Sequence, residues 1–205
     1  MRTIGVLLVL CVGVAVDAAA QTRQVGAKIG PTFATLAFDP PNDAAYDAKW
    51  GLGGGGFVLL PVAGRLGMQF EALFTPKGLD APPPAEGTKS TLMLDYLEFP
   101  VLVRVTAPPA GFGSLFLFGG PSLGFNTAAK YEIATTGSTI TSGVTDDIRE
   151  DVRVFELGMV AGAGLDIARH VVVDVRYFWG LTNVLDEEGE RWKNRGLTIL
   201  AGVRF

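Results

Sequence analysis

Few side chains in this 205-residue chain could do chemistry beyond simple charge. There is one histidine, His170, and one cysteine, Cys11. No activated nucleophile is placed beside His170, and a zinc site needs more nitrogen or sulfur ligands than these two residues offer. The sequence therefore predicts neither an enzyme nor a cofactor. Gly51-Leu52-Gly53-Gly54-Gly55-Gly56 satisfies the G-x-G-x-x-G spacing. A phosphate loop, however, needs a strand before it and a helix after it, and here a polar loop precedes and a strand-like run follows. The acidic runs Asp146 to Asp151 and Asp186 to Glu190 could share a divalent cation, but their spacing matches no calcium loop, so they read as solvated loop charge. A net charge of −4 opposes a nucleic-acid partner.

What remains is a set of nine charges: Lys28, Glu71, Glu98, Arg104, Glu156, Asp166, Asp174, Arg176 and Arg204. Acids and bases nearly balance. Enclosed together they must pair, because an unpaired charge in a confined space is expensive. Two uses stay open for such a set. It could lock into a network that fixes register and blocks passage, or it could line a narrow water-filled channel.

Strands must position these residues, and the period-2 alternation supplies them. Eight candidates run Val25 to Phe38, Gly51 to Leu60, Arg65 to Pro76, Leu92 to Val105, Ser114 to Asn126, Arg153 to Ile167, His170 to Leu181 and Asn194 to Phe205. Most reach the roughly 9–11 residues that a tilted strand needs to cross a bilayer. Short connections at Pro61 to Gly64, Ala107 to Gly113 and Ala168-Arg169 alternate with long ones at Asp39 to Trp50, Lys77 to Thr91, Ala128 to Val152 and Thr182 to Lys193. Short turns at one end and long loops at the other is the asymmetry of bacterial outer-membrane barrels, whose short turns are periplasmic. His170 then sits at the periplasmic end, away from any surface chemistry.

One face of these strands is apolar, for example Leu66, Met68, Phe70, Ala72 and Phe74. The other carries the nine charges together with Gly26, Gly30, Gly120, Gly124, Gly158, Gly162 and Gly164. Glycine suits a crowded lumen, and balanced charge suits a confined one. Phe33, Phe74, Phe125, Phe155, Tyr177 and Trp179 gather at the loop ends of strands, where an interfacial aromatic girdle belongs. The apolar face is thus expected to meet lipid. Asp95 falls on that face, so a bulge or a strand end is expected near it.

The two ends fit the same picture. Met1-Arg2-Thr3, the apolar run Ile4 to Val16 and the small residues Ala18-Ala19-Ala20 predict a cleavable Sec-type signal peptide over 1–20, leaving 21–205 as the barrel domain. A lipoprotein reading of Cys11 is opposed by the bulky Leu10 before it. At the other end, Leu197, Ile199, Ala201, Val203 and Phe205 share one face, and Val203 and Phe205 are expected to signal to the barrel-insertion machinery. The expected fold is all-β: an up-and-down antiparallel transmembrane β-barrel of about eight strands in the cell outer membrane.

Glu71-Ala72-Leu73-Phe74-Thr75-Pro76-Lys77-Gly78 and Asp95-Tyr96-Leu97-Glu98-Phe99-Pro100-Val101-Leu102-Val103-Arg104 resemble two motifs of the PorT-like outer-membrane beta-barrel family. Gly158 to Asp166, Arg176 to Asn183 and Gly202 to Phe205 continue the match, which spans essentially the whole mature chain. The resemblance implies a small outer-membrane barrel and leaves the activity open; its namesake's secretion role does not transfer on fold alone. The function expected is therefore a non-enzymatic barrel that is structural or presents external loops to a partner the sequence does not identify. Outer-membrane lipids and lipopolysaccharide would surround it. A small passive channel and a soluble lipocalin-like ligand-binding barrel are the alternatives.

Overall fold

A computed structural model describes residues 23–40, 46–82, 88–111, 113–136, 141–167, 170–185 and 191–205. The expected signal peptide lies outside the described residues, as does the acidic run 186–190. The strands are β1 (Gln24–Asp39), β2 (Asp47–Ala63), β3 (Leu66–Ala81), β4 (Thr88–Thr106), β5 (Gly113–Thr136), β6 (Thr141–Asp147), β7 (Phe155–Ile167), β8 (Val171–Gly180) and β9 (Arg191–Arg204). All pairings are antiparallel. β4, β3, β2, β1, β9, β8, β7 and β5 follow one another around a ring, and the β4–β5 pairing closes it. Closure leaves the lipid-embedded ring itself without an open edge, which strands this apolar require.

β6 is a ninth strand that stands outside the ring and, among the described residues, pairs with the far half of β5 alone. It corrects the expectation of a loop from Ala128 to Val152. The physical reason is a bulge. Asp95 pairs with Ala128 while Tyr96 pairs with Asn126, so Thr127 is an extra residue that shifts the phase of β5. The Thr127 hydroxyl donates to the Asp95 carbonyl at 3.1 Å, which pins the bulge beside the outward-facing acid. The segment Lys77 to Thr91 is likewise no simple loop, because β3 runs on to Ala81 and β4 begins at Thr88.

Strand lengths show where the bilayer ends. The 10 residues of β8 make ~33 Å of strand and, tilted by about 40°, rise roughly 25 Å, the height of an apolar band. The 24 residues of β5 rise roughly 60 Å, about twice a hydrocarbon core. The long-loop end therefore stands well clear of the lipid.

The barrel is apolar outside and charged inside. Ile29, Phe70, Phe99, Leu117, Val175 and Ile199 are exposed, while Lys28, Glu71, Arg104, Asp174 and Arg176 are buried. Two apolar clusters also occupy the interior. Phe57, Leu102, Phe116, Phe118, Val160, Val172 and Phe178 line the lipid-embedded interior, from beside Arg104 (Phe116) to beside Lys77 (Phe178). Leu36, Leu79, Leu92, Leu94, Tyr96, Ala129, Val152 and Val184 fill the long-loop end. Val152 and Val184 reach this second cluster on inward-folded chain, joined by the Val152–Leu185 bridge and by the Arg153 N–H donating to the Val184 carbonyl at 2.8 Å.

Candidate functional site

The buried charges form tiers along the barrel axis. Nearest the short-turn end, Arg204 and Arg104 both donate to Asp166, Arg204 at 2.8 Å. The Arg104 guanidinium also lies 3.5 Å from the Phe116 ring centroid, a cation–π contact. Gln69 links this tier to the next: Arg104 donates to its carbonyl oxygen at 3.3 Å, and its amide donates to Glu71 at 2.5 Å.

Glu71 is the hub of the middle tier. It accepts from Lys28 at 2.7 Å and from Arg176 at 2.5 Å. Asp174 closes the circuit, accepting from Lys28 at 2.9 Å and from Arg176 at 2.8 Å. Two cations against two carboxylates, each bridged twice, neutralise one another in a space that water cannot screen.

The third tier centres on Lys77, whose ammonium sits 2.5 Å from Glu98 and 2.6 Å from Glu156. Thr75 donates to Glu98 at 2.9 Å, and Asn194 donates to Glu156 at 2.8 Å. The Phe178 centroid is 3.3 Å from the ammonium and the Tyr96 centroid 4.8 Å, so aromatic faces cover what the carboxylates leave open.

A strand ending at Pro76 leaves Lys77 in a loop and out of the site, whereas β3 runs on to Ala81. Continued by two residues, the phase of Glu71, Leu73 and Thr75 leads directly to Lys77. Gln69 lies on the same face but carries no charge to draw notice. With Lys77 included, five bases face five acids.

Glycines give the interior its floor space. A Cβ on Gly158 would overlap the Phe178 ring, and one on Gly164 would overlap the Phe116 ring. Within the same interior, a cavity of about 20 Å³ touches Thr32, Thr75, Lys77, Glu98, Arg176 and Thr198, room for little more than one water.

The remaining candidates fall elsewhere. His170 is exposed at a short turn, with Nδ1 3.2 Å from the Arg204 carbonyl oxygen. Gly51 to Gly56 lie within β2, paired to β1 and β3, so the run has no helix after it. Asp147 accepts from the Arg149 N–H at 3.1 Å, and no group of three or more His, Cys, Asp or Glu side chains is placed to hold a metal among the described residues. Phe33, Phe74, Phe155 and Trp179 project outward and are exposed, with Phe125 and Tyr177 half-buried beside them. The Phe125 and Phe155 rings are 5.0 Å apart and those of Tyr177 and Trp179 4.6 Å apart. Phe205 is exposed, and its N–H donates to the Val25 carbonyl at 2.8 Å across the ring closure.

Several solved outer-membrane structures share similarity with the chain. The attachment invasion locus protein Ail of Yersinia pestis is 14% identical, with 89% of this chain and 98% of that one covered at a TM-score of 0.43. Neisserial surface protein A is 12% identical, with coverages of 89% and 97% and a TM-score of 0.46. OprG of Pseudomonas aeruginosa is 11% identical, with coverages of 89% and 95% and a TM-score of 0.47. No curated protein matches in sequence. The assignment rests instead on residues 19–186, which match the model of the outer membrane protein beta-barrel domain. The chain belongs to that family, and it is an outer-membrane β-barrel protein.

Proposed function

We propose that the protein is a sealed, non-enzymatic barrel whose long-loop end stands outside the cell and presents its surface to partners. The filled interior carries this reading. Two apolar clusters and charge tiers paired at 2.5–2.9 Å occupy the interior, and the cavity beside Thr75, Lys77 and Arg176 measures about 20 Å³, the space of roughly one water. His170 is held against backbone at the opposite end from the presented surface, which opposes a surface catalyst. The Glu71 to Gly78 and Asp95 to Arg104 segments support a place beside the PorT-like barrels. A mature chain beginning at residue 21, and a role for Val203 and Phe205 in recognition by the insertion machinery, belong to the same proposal.

Planar-bilayer recording of the refolded full barrel is the test. Silence at moderate voltage is expected, and steady unitary conductance would replace this reading with a passive channel. Orientation is checked separately. An epitope placed within residues 137–140, between β5 and β6, should be labelled on intact cells.

A further inference from the structure

We propose that the outward face of β9, just above the apolar belt, binds the phosphoryl headgroup of a glycolipid in the outer leaflet through Arg191, Lys193 and Arg195. The inference rests on the orientation proposed above. Odd-numbered residues of β9 face outward. Leu197, Ile199 and Val203 are exposed in the belt, and the same face then changes to Arg195, Lys193 and Arg191. Alternate residues of a strand are about 7 Å apart, so three cations span roughly 14 Å in a single line. Their height is fixed by pairing: Arg195 shares a rung with Trp179 on one side and Thr35 on the other. Trp179 belongs to the aromatic rim, so the lowest cation stands where acyl chains give way to headgroups.

No salt bridge joins these three side chains to an acid among the described residues. On the neighbouring strand, Lys193 faces Ala37 and Arg195 faces Thr35; only Arg191 has an acid opposite, Asp39. The acids Asp186, Glu187, Glu188 and Glu190 precede the ladder in sequence. The opposite wall differs in kind. There Lys49, Asp80, Lys89 and Glu132 line one outward groove, and Lys89 pairs with Asp80 at 3.0 Å, so that surface neutralises itself. A row of cations without a salt bridge among the described residues, continuous with a lipid-covered stripe, matches an amphiphile that has acyl chains below and phosphate above. Arginine's planar fork suits phosphate oxygens in bidentate fashion.

The test measures binding of bisphosphorylated lipid A to the refolded full chain in detergent, by native mass spectrometry. Dephosphorylated lipid A and inorganic phosphate serve as the other probes. The variant R191Q/K193Q/R195Q should lose affinity on the order of 100-fold, since each cation beside an anionic surface contributes about fivefold. Dephosphorylated lipid A should bind wild type as weakly as lipid A binds the variant, and K89Q should bind lipid A like wild type. Equal binding by the triple variant, equal binding of the dephosphorylated lipid, an equal loss in K89Q, or capture of inorganic phosphate alone would each overturn the proposal. Neutralisation of the ladder by the 186–190 acids would appear as the first of these. A conducting barrel in the bilayer would leave this result untouched, and a periplasmic epitope would remove the orientation while leaving the detergent measurement standing.

Discussion

The lipid-embedded and protruding halves of β3, β4 and β5 place their charges on opposite faces, although both enclose apolar side chains. In the lower half, Phe70, Phe74, Leu97 and Phe99 face outward, while Gln69, Glu71, Glu98 and Arg104 are buried. In the upper half the outward positions hold Asp80, Asp95, Lys130 and Glu132, while Leu79, Leu92, Leu94 and Ala129 are buried. One continuous wall thus solves two solvent problems. Within lipid the hydrophobic effect between outer surface and surroundings vanishes, so the polar groups go inward and must satisfy one another. Above lipid, water surrounds the wall and the ordinary rule of an apolar core returns. Lys77 sits where the two regimes meet, paired to acids below and covered by the Tyr96 and Phe178 rings.

Variants can break this comparison one half at a time. The largest effect is expected from Glu71→Ala, which strands Lys28 and Arg176 without their shared carboxylate. Removing one partner of a buried pair costs about 3–5 kcal/mol, and urea unfolding in detergent should show at least that loss. A loss below about 1 kcal/mol would mean that water reaches the middle tier. Leu94→Ala should come next, at about 2–5 kcal/mol, by opening a cavity in the upper cluster. Proteolysis should then attack the long-loop end while the lipid-embedded strands stay protected; equal loss of both would show that the halves unfold as one. Gly164→Val forces a branched side chain against the Phe116 ring and should cost about 1–3 kcal/mol, read as a lowered midpoint of thermal unfolding. The smallest effect belongs to Lys89→Ala, whose exposed pair with Asp80 contributes about 0.2–1 kcal/mol and should weaken with added salt.

The lower half was legible because its code is strict. Every second residue meets lipid, so Leu66 to Phe74 or Val171 to Trp179 declare both strand and face. The upper half was illegible for two reasons. Its outward face is polar, so Lys77 to Ala81 and Lys130 to Thr136 look like loop in a search for a greasy stripe. Thr127 also breaks the phase within β5, hiding the continuation of that strand and with it β6. The charged residues of the lumen could be read from alternation, but their partners could not. Which acid meets which base depends on the stagger between strands distant in sequence, as when Arg176 meets Glu71 across 105 positions.

The fork in β5 sets how the barrel would bear a load. Below Thr127 this strand is bonded to β4 and β7; above it, to β4 and β6. A tug on the tip of the β5–β6 hairpin along the strand direction would run down one unbroken polypeptide into the ring. Antiparallel bonds lie across that direction, so the rungs from Thr88–Thr135 to Thr106–Phe116 would be strained together, in shear, instead of peeling one after another. The hairpin is in effect a handle cast in one piece with the wall, and a tether attached there would yield only when the wall itself slides.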